Sequence, residues 1–125
     1  MTGLTPFSIE TENSHKFKRS LNKLVKVHGR SFVERVDQIL ENLIDNPYPR
    51  NSYQEPLPKK IKLPEGSTFQ KLKFTVAKGA SGKIRLMYLV IKSKSVIKPA
   101  WIYSHQQYDK RPPDQELRNV LRELF

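Results

Sequence analysis

Apolar side chains recur at helical spacing in the first half of the chain. The first group shares one helical stripe: Phe17, Leu21, Leu24, Val25 and His28. This stripe predicts an amphipathic helix that Asn13 or Ser14 caps and that ends at Gly29, a residue suited to a left-handed backbone. Ahead of it, apolar and polar residues alternate from Pro6 to Thr11 and predict a short first strand.

A second stripe with the same periodicity follows. Its members are Phe32, Val33, Val36, Ile39, Leu40, Leu43 and Ile44. Ser31 and Glu34 have the spacing of a capping box and predict where this helix begins, and Pro47 predicts its end. Only about two residues join the two segments, so we expect the helices to form an antiparallel hairpin.

The second half of the chain is dominated by strand patterns. From Phe69 to Val76 the residues alternate, with Lys71, Lys73 and Thr75 on one face and Leu72, Phe74 and Val76 on the other. The segment Lys78–Gly82 is typical of a hairpin loop. Lys83–Ile91 is apolar on nearly both faces, which predicts a central strand.

The remaining segments complete the predicted sheet and close the chain. Val96–His105 predicts the last strand, with Pro99 at an edge position or a bulge. Several prolines indicate irregular chain after the second helix up to Pro64, although Lys60–Leu63 could pair briefly as a strand. A terminal helix begins near Pro113 and carries a last apolar stripe: Leu117, Val120, Leu121 and Leu124.

This order of elements predicts an α+β fold in a single domain that spans residues 1–125. An N-terminal strand and a helical hairpin pack on an antiparallel sheet of three to four strands, and a C-terminal helix closes the fold. The strands run consecutively instead of alternating with helices, which separates this class from α/β folds. A length of 125 residues suits one hydrophobic core.

Charge is concentrated in the predicted sheet. The formal net charge is +11, and the forty residues Lys59–Lys98 contain eleven basic side chains against one acid, Glu65, which leaves +10 in that segment. The charge is therefore attached to strands instead of a loose tail. A basic sheet of this kind favours a polyanion as partner, and RNA is the first candidate.

Composition excludes several other classes. The chain has no cysteine, which rules out disulfides, thiolate nucleophiles and cysteine-ligated zinc and is typical of a reducing cytoplasm. The longest apolar run, Leu86–Ile91, is far shorter than the roughly 20 residues that span a bilayer. The three histidines are scattered and give no metal-ligand spacing. We therefore expect a cytoplasmic protein without a metal, a cofactor or a membrane partner.

Several strings in this segment resemble the RelE/ParE superfamily of bacterial type II toxins. Gln70–Phe74 contains a Lys-x-Lys pattern, and Gly82–Val90 contains Gly-x-x-Arg-Leu-x-Tyr, both of which RelE-type toxins carry on consecutive strands. Ile102–His105, followed by Gln106–Tyr108, is similar to the closing strand of the family. The resemblance covers about Pro6 to Tyr108, and the order and spacing of the strings are more specific than any one of them.

The resemblance implies a function and a set of site residues. Relatives of the RelE type cleave messenger RNA in the ribosomal A site without a metal, and a cognate antitoxin neutralises them. Matched by position, Lys71 and Lys73 correspond to catalytic lysines, Arg85 to a phosphate-binding arginine, and His105 to a histidine that some members use. The additional nucleic-acid contacts that we expect are Lys78, Lys83, Tyr88, Tyr108, Lys110 and Arg111.

One departure from the family pattern keeps other functions open. Gln106 and Gln107 stand where RelE proper has a catalytic arginine, and Lys110 or Arg111 would have to substitute. The alternatives are a ParE-like protein that inhibits DNA gyrase without catalysis and a degenerate RNA-binding module without toxicity. Without the family resemblance, a Lys-x-Lys pair would be explained simply as the solvent-exposed face of a sheet. His105 would be explained as a histidine at the boundary between surface and core.

Overall fold

The structure, a computed structural model, describes residues 6–125. Its elements in chain order are β1 (Ser8–Ile9), α1 (His15–His28), α2 (Arg30–Asp45), β2 (Ser52–Gln54), β3 (Ser67–Thr75), β4 (Lys83–Ile91), β5 (Val96–Ser104) and α3 (Asp114–Glu123). Short 3-10 turns at Ala80–Gly82 and Lys92–Lys94 connect β3 to β4 and β4 to β5. The predicted α+β class is confirmed.

All five strands form one sheet in the order β1-β5-β4-β3-β2. The predicted antiparallel unit of three long strands is present, and β4, apolar on both faces, lies at its centre. Two short edge strands enlarge the sheet beyond the expected size. β1 pairs in parallel with β5, and β2 pairs with β3 inside a stretch that was predicted to be irregular.

Helices cover both faces of the sheet. On one face, which we call the hairpin face, α1 and α2 bury a cluster that includes Phe17, Leu24, Phe32, Val36, Leu43, Leu72, Leu86 and Tyr88. On the opposite face, α3 packs on a second cluster that includes Phe69, Met87, Leu89, Trp101, Leu117 and Leu121. Because side chains of a strand alternate between faces, the odd-numbered residues of β3 and β4 belong to this second face.

Gly29 joins the two helices of the hairpin and corrects one expectation. Its φ of 85° is a left-handed value that favours glycine, and it ends α1 as predicted. The same residue precedes Arg30, the first residue of α2, so Ser31 already lies inside the helix. The prediction that Ser31 and Glu34 form a capping box is therefore wrong, because a single glycine turns the chain quickly enough for α2 to begin two residues earlier.

The proline of β5 is accommodated by a bulge. Met87 pairs with Trp101, whereas its neighbour Tyr88 pairs with Pro99, so Ala100 is an extra residue in β5. Of the two sequence predictions for Pro99, the bulge is confirmed. β1 pairs with β5 only at Val96 and Ile97, so at Pro99 the strand is paired with β4 alone.

The brief strand predicted at Lys60–Leu63 is not present. Its apolar side chains, Ile61 and Leu63, are partly buried against the cluster under α3. The packing of these two side chains thus explains the alternating pattern, although the backbone of this segment does not pair with the sheet.

Candidate nucleic-acid interface

The sheet brings three of the predicted catalytic residues to one face. Lys73 of β3 is paired directly with Arg85 of β4, and Lys71 is paired with Met87 two positions along. Arg85 is in turn paired with Tyr103 of β5. Directly opposite residues on antiparallel strands have Cβ atoms roughly 5 Å apart. We call Lys71, Lys73 and Arg85 the cationic face; it lies on the α3 side of the sheet.

The three cations of this face have different surroundings. Lys71 is buried, with 8% of its surface exposed, and its Nζ lies 3.3 Å from a carboxylate oxygen of Glu55. Lys73 is exposed and Arg85 is half-buried, and neither has an ion pair with an acid within residues 6–125. The two cations that face each other across β3 and β4 are thus the two that remain available to an external anion.

Glu55 is the residue of this site that sequence reasoning missed. Its buried carboxylate bridges Lys71 and Arg111, whose guanidinium lies 3.2 Å from Glu55 Oε2. Arg111 also donates to the Pro56 carbonyl at 2.6 Å and to Asp114 Oδ1 at 2.8 Å. Arg111 therefore lies at the margin of the cationic face. These contacts hold its side chain in place, and the two carboxylates neutralise its charge. The one indication of this role in the sequence is that Glu55 is the only acidic residue between Asp45 and Glu65.

Tyr103 lies between these groups. Burial raises the pKa of its phenol, the Glu55 carboxylate adds to that effect, and the Arg85 guanidinium opposes it. The hydroxyl therefore stays protonated at neutral pH and donates to the Lys110 carbonyl at 3.4 Å. Tyr103 is thus a buried hydrogen-bond donor near two arginines and one carboxylate.

His105 follows β5 at the end of the sheet where β4 begins. Its backbone N–H donates to the Lys83 carbonyl at 2.8 Å, and its Nε2 lies 3.3 Å from Asp109 Oδ1. Its Nδ1 is buried and has no hydrogen-bond partner within residues 6–125. Lys83 precedes Arg85 by two residues, so His105 lies roughly 7 Å along the strand from the arginine. It flanks the cationic face and is not part of it.

Tyr88 is a correction to the predicted nucleic-acid contacts. It is completely buried on the hairpin face, and its hydroxyl donates to the Pro47 carbonyl at 2.8 Å. Burial raises its pKa to about 12. Its ring is packed against the helices on the side opposite Arg85 and cannot meet a base.

The other predicted contacts are distributed around the edge of the face. Lys78, Lys83 and Lys110 are exposed, and Lys83 is on the same side of β4 as Arg85. Tyr108 is half-buried, because its ring makes edge contacts with Trp101 and Tyr103 at centroid distances of 5.8 and 5.6 Å. Burial raises the pKa of Tyr108 as well, and the nearby Glu116 adds to this.

Two further features of the described chain bear on partners. Within residues 6–125, no three or more His, Asp or Glu side chains gather in an arrangement that could hold a metal ion. None of the helices in this range combines the length and the hydrophobicity of a transmembrane segment.

Comparison with known proteins bears on the fold. No protein-family model matches the chain, and no curated protein matches it in sequence. Among solved structures, it is similar to an arginine double mutant of the E. coli toxin RelE in the free state, with a TM-score of 0.51 and 15% sequence identity. This similarity covers 84% of the present chain and 90% of the other. The chain therefore has the RelE-like fold that its sequence predicted.

Proposed function

We propose that this protein is the toxin of a type II toxin–antitoxin system and a ribosome-dependent endoribonuclease that cleaves messenger RNA without a metal. The observation that carries the proposal is the pairing of Lys73 with Arg85 across β3 and β4, with no acid to neutralise either one within residues 6–125. Like charges in directly opposite positions are destabilising in a sheet. A phosphate between them would turn this repulsion into attraction on both sides.

The side chains of the face suit the charge changes of RNA cleavage. Attack of a ribose 2′-hydroxyl on the adjacent phosphorus creates a phosphorane with additional negative charge, and preorganised cations stabilise it. The planar Arg85 guanidinium can donate two parallel hydrogen bonds to phosphate oxygens. The Lys73 ammonium, a compact charge on a flexible four-carbon stem, can follow the oxygen on which charge develops.

Proton transfer requires a second kind of residue. His105 is the candidate because histidine can accept or donate a proton near neutral pH. Its Nε2 contact with Asp109 orients the ring at the edge of the face. Because Nδ1 is buried, the proton transfer would use Nε2, which has to leave Asp109 before it protonates the leaving 5′-oxygen or takes the proton of the 2′-hydroxyl, while Lys73 and Arg85 hold the phosphate.

One of the two glutamines that depart from the RelE pattern, Gln107, has a structural role. Gln107 accepts the Ser104 N–H through its side-chain oxygen at 2.9 Å, and its own N–H donates back to the Ser104 hydroxyl. These bonds fix the turn that carries His105. Of the two residues that could replace the arginine that follows the last strand in RelE, Arg111 is neutralised by Glu55 and Asp114, so we propose that the exposed Lys110 supplies this positive charge.

The proposed partners follow from the same charge distribution. Ribosomal RNA and messenger RNA are polyanions, which the +10 segment Lys59–Lys98 attracts. A cognate antitoxin would neutralise the protein by laying an acidic segment over the cationic face, since opposite charge speeds association and fixes its register.

Purified protein added to ribosomes that translate a defined messenger RNA tests the proposal. We expect cuts within the translated region that leave 5′-hydroxyl ends, and we expect none at a nucleotide whose 2′-hydroxyl is replaced by hydrogen. Lys73→Ala should reduce the cleavage rate at least tenfold, which corresponds to about 1.4 kcal/mol of transition-state stabilisation. Intact messenger RNA together with loss of DNA supercoiling by gyrase would support a ParE-like inhibitor instead.

A further inference from the structure

Tyr53 is an open aromatic ring at the margin of the cationic face. It lies in the middle of β2, paired with Lys71 of β3, so its side chain is on the same side of the sheet. The ring centroid is 5.2 Å from Lys73 Nζ and 5.7 Å from Lys71 Nζ. Yet 40% of the residue's surface is exposed, although tyrosine is a large and partly apolar side chain.

The other aromatic residues of this face are less open to a ligand. Trp101 and Tyr103 are buried, and the ring of Tyr108 packs edge-on against both of them. Tyr88, which the sequence suggested as a stacking residue, is on the hairpin face. Tyr53 is thus the aromatic ring next to Lys73 that a planar group could reach.

We propose that Tyr53 is a stacking platform for one base of a single-stranded RNA whose backbone crosses Lys73 and Arg85. Proteins that bind single strands combine cations along the phosphates with aromatic rings on which bases stack, and Tyr53 with its two lysines has both parts within 6 Å. The inference deepens the proposed function, because it names the contact that holds the nucleotide beside the scissile phosphate.

The chain provides a matched control in Tyr48. It is also an exposed tyrosine, with 36% of its surface accessible, and Lys92 Nζ lies 5.4 Å from its ring centroid. Its hydroxyl, however, accepts a hydrogen bond from the Thr68 hydroxyl at 3.4 Å. Thr68 is an even-numbered residue of β3 and is therefore on the hairpin face. Tyr48 therefore has the same chemistry and similar exposure as Tyr53 but is remote from the cationic face.

The test is a binding titration with 2′-O-methylated RNA, which lacks the free 2′-hydroxyl needed for cleavage. Tyr53→Leu should weaken binding roughly 5- to 100-fold, while Tyr53→Phe, which keeps the ring, should bind within about twofold of the wild type. Tyr48→Leu should bind like the wild type. Urea denaturation of each variant checks that the fold is retained.

Two further readouts separate stacking from simple packing. When each base of the oligonucleotide is removed in turn, one abasic position should weaken wild-type binding but have no effect on Tyr53→Leu. The slope of log affinity against log salt should be unchanged in Tyr53→Leu, because stacking releases no counterions. In Lys73→Gln the slope should fall by about one.

The inference and the proposed function can fail separately. If Tyr53→Leu binds as tightly as the wild type, or if no single abasic position abolishes the difference between them, stacking on Tyr53 is contradicted even if the protein cleaves messenger RNA. If the stacking pattern is found but translated messenger RNA stays intact, the inference holds and the nuclease proposal fails. If none of the oligonucleotides binds, the inference is overturned.

Discussion

Lys73 and Arg85 are paired across β3 and β4 with like charges on one face and no acid to separate them within residues 6–125. Opposed like charges lower the stability of a sheet, and the cost of one such pair is roughly 0.2–1 kcal/mol. A sheet that has no use for an anion would gain stability by replacing one of them. The Lys73–Arg85 pair should therefore lower the stability of the free protein and favour the binding of an anion. These two effects can be measured separately.

Lys73→Gln should raise the free energy of unfolding by about 0.5 kcal/mol at low salt, because it removes the repulsion with Arg85 at an exposed position. The gain should shrink as salt screens the charges. Urea denaturation at two ionic strengths measures it. Lys83→Gln is the matched control, since Lys83 is also exposed but is paired with the neutral Thr75. Equal gains in both variants would contradict the account.

Glu55→Gln should lower the free energy of unfolding by about 3 kcal/mol, because the buried Lys71 ammonium and the Arg111 guanidinium lose their common carboxylate. Urea denaturation measures this loss. Glu41→Gln, on the exposed side of α2, should change stability little.

A second substitution shows whether the loss arises from the unpaired lysine. Adding Lys71→Met to Glu55→Gln removes the charge that was left without a partner, and the double variant should recover part of the stability. Strictly additive losses would show that the Glu55–Lys71 contact is not energetically coupled.

The buried Tyr88 predicts a loss of stability in alkali. Folding raises its pKa from 10.0 to about 12, so the folded state holds this proton more tightly than the unfolded state does. The resulting stabilisation is complete below pH 10 and is lost as the pH rises to 12, at up to about 1.4 kcal/mol per pH unit.

Tyr88→Phe should therefore make the free energy of unfolding less dependent on pH in that window. At neutral pH it should cost about 1 kcal/mol, since the hydrogen bond to the Pro47 carbonyl is lost. Denaturation curves at several pH values measure both effects. An alkaline slope in Tyr88→Phe equal to that of the wild type would refute the assignment to Tyr88.

Gly82 closes the hairpin loop next to His105 and has no room for a side chain. A Cβ atom at this position would lie 2.2 Å from the Ala77 carbonyl oxygen, so Gly82→Ala must displace the loop. We expect a loss of about 1–3 kcal/mol in urea denaturation. Ala80 of this loop accepts the Gln106 N–H, so the turn that carries His105 should move too. Gly79→Ala meets open space, but its φ of 81° and ψ of 178° lie in a region essentially restricted to glycine, so it should also cost about 1–3 kcal/mol while leaving the turn of His105 in place.

The long helices and strands were predictable because the hydrophobic pattern of each one fits a single type of secondary structure. β4 runs over Lys83–Ile91, the range that its apolar run predicts, and the stripes of all three helices face the sheet. Alternation also placed Lys71 and Lys73 on one face, and the register of β3 with β4 adds Arg85 to it. It could not tell which face the hairpin covers, because β4 is apolar on both. The expectation that Tyr88 joins Arg85 at the nucleic-acid interface was inconsistent with alternation, since residues three apart on a strand lie on opposite faces.

Short-range pairings were harder to predict because they depend on contacts far away in sequence. β2 has only three residues and exists through its pairing with Gln70–Leu72 of β3. The bridge that Glu55 forms to Arg111 joins residues 56 positions apart, which no local pattern encodes. Tyr53 was overlooked for the same reason, since its position next to Lys73 appears only when β2 joins the sheet.

The mapping of messenger RNA 5′ ends in cells that express the wild type, Arg85→Ala or Arg30→Ala tests the central claim most directly. Arg30 is an exposed arginine at the start of α2 and has no ion pair within residues 6–125, so its replacement removes the same charge elsewhere. The account predicts new 5′ ends inside translated regions with the wild type and Arg30→Ala, and none with Arg85→Ala. The same new ends with Arg85→Ala as with the wild type would contradict it.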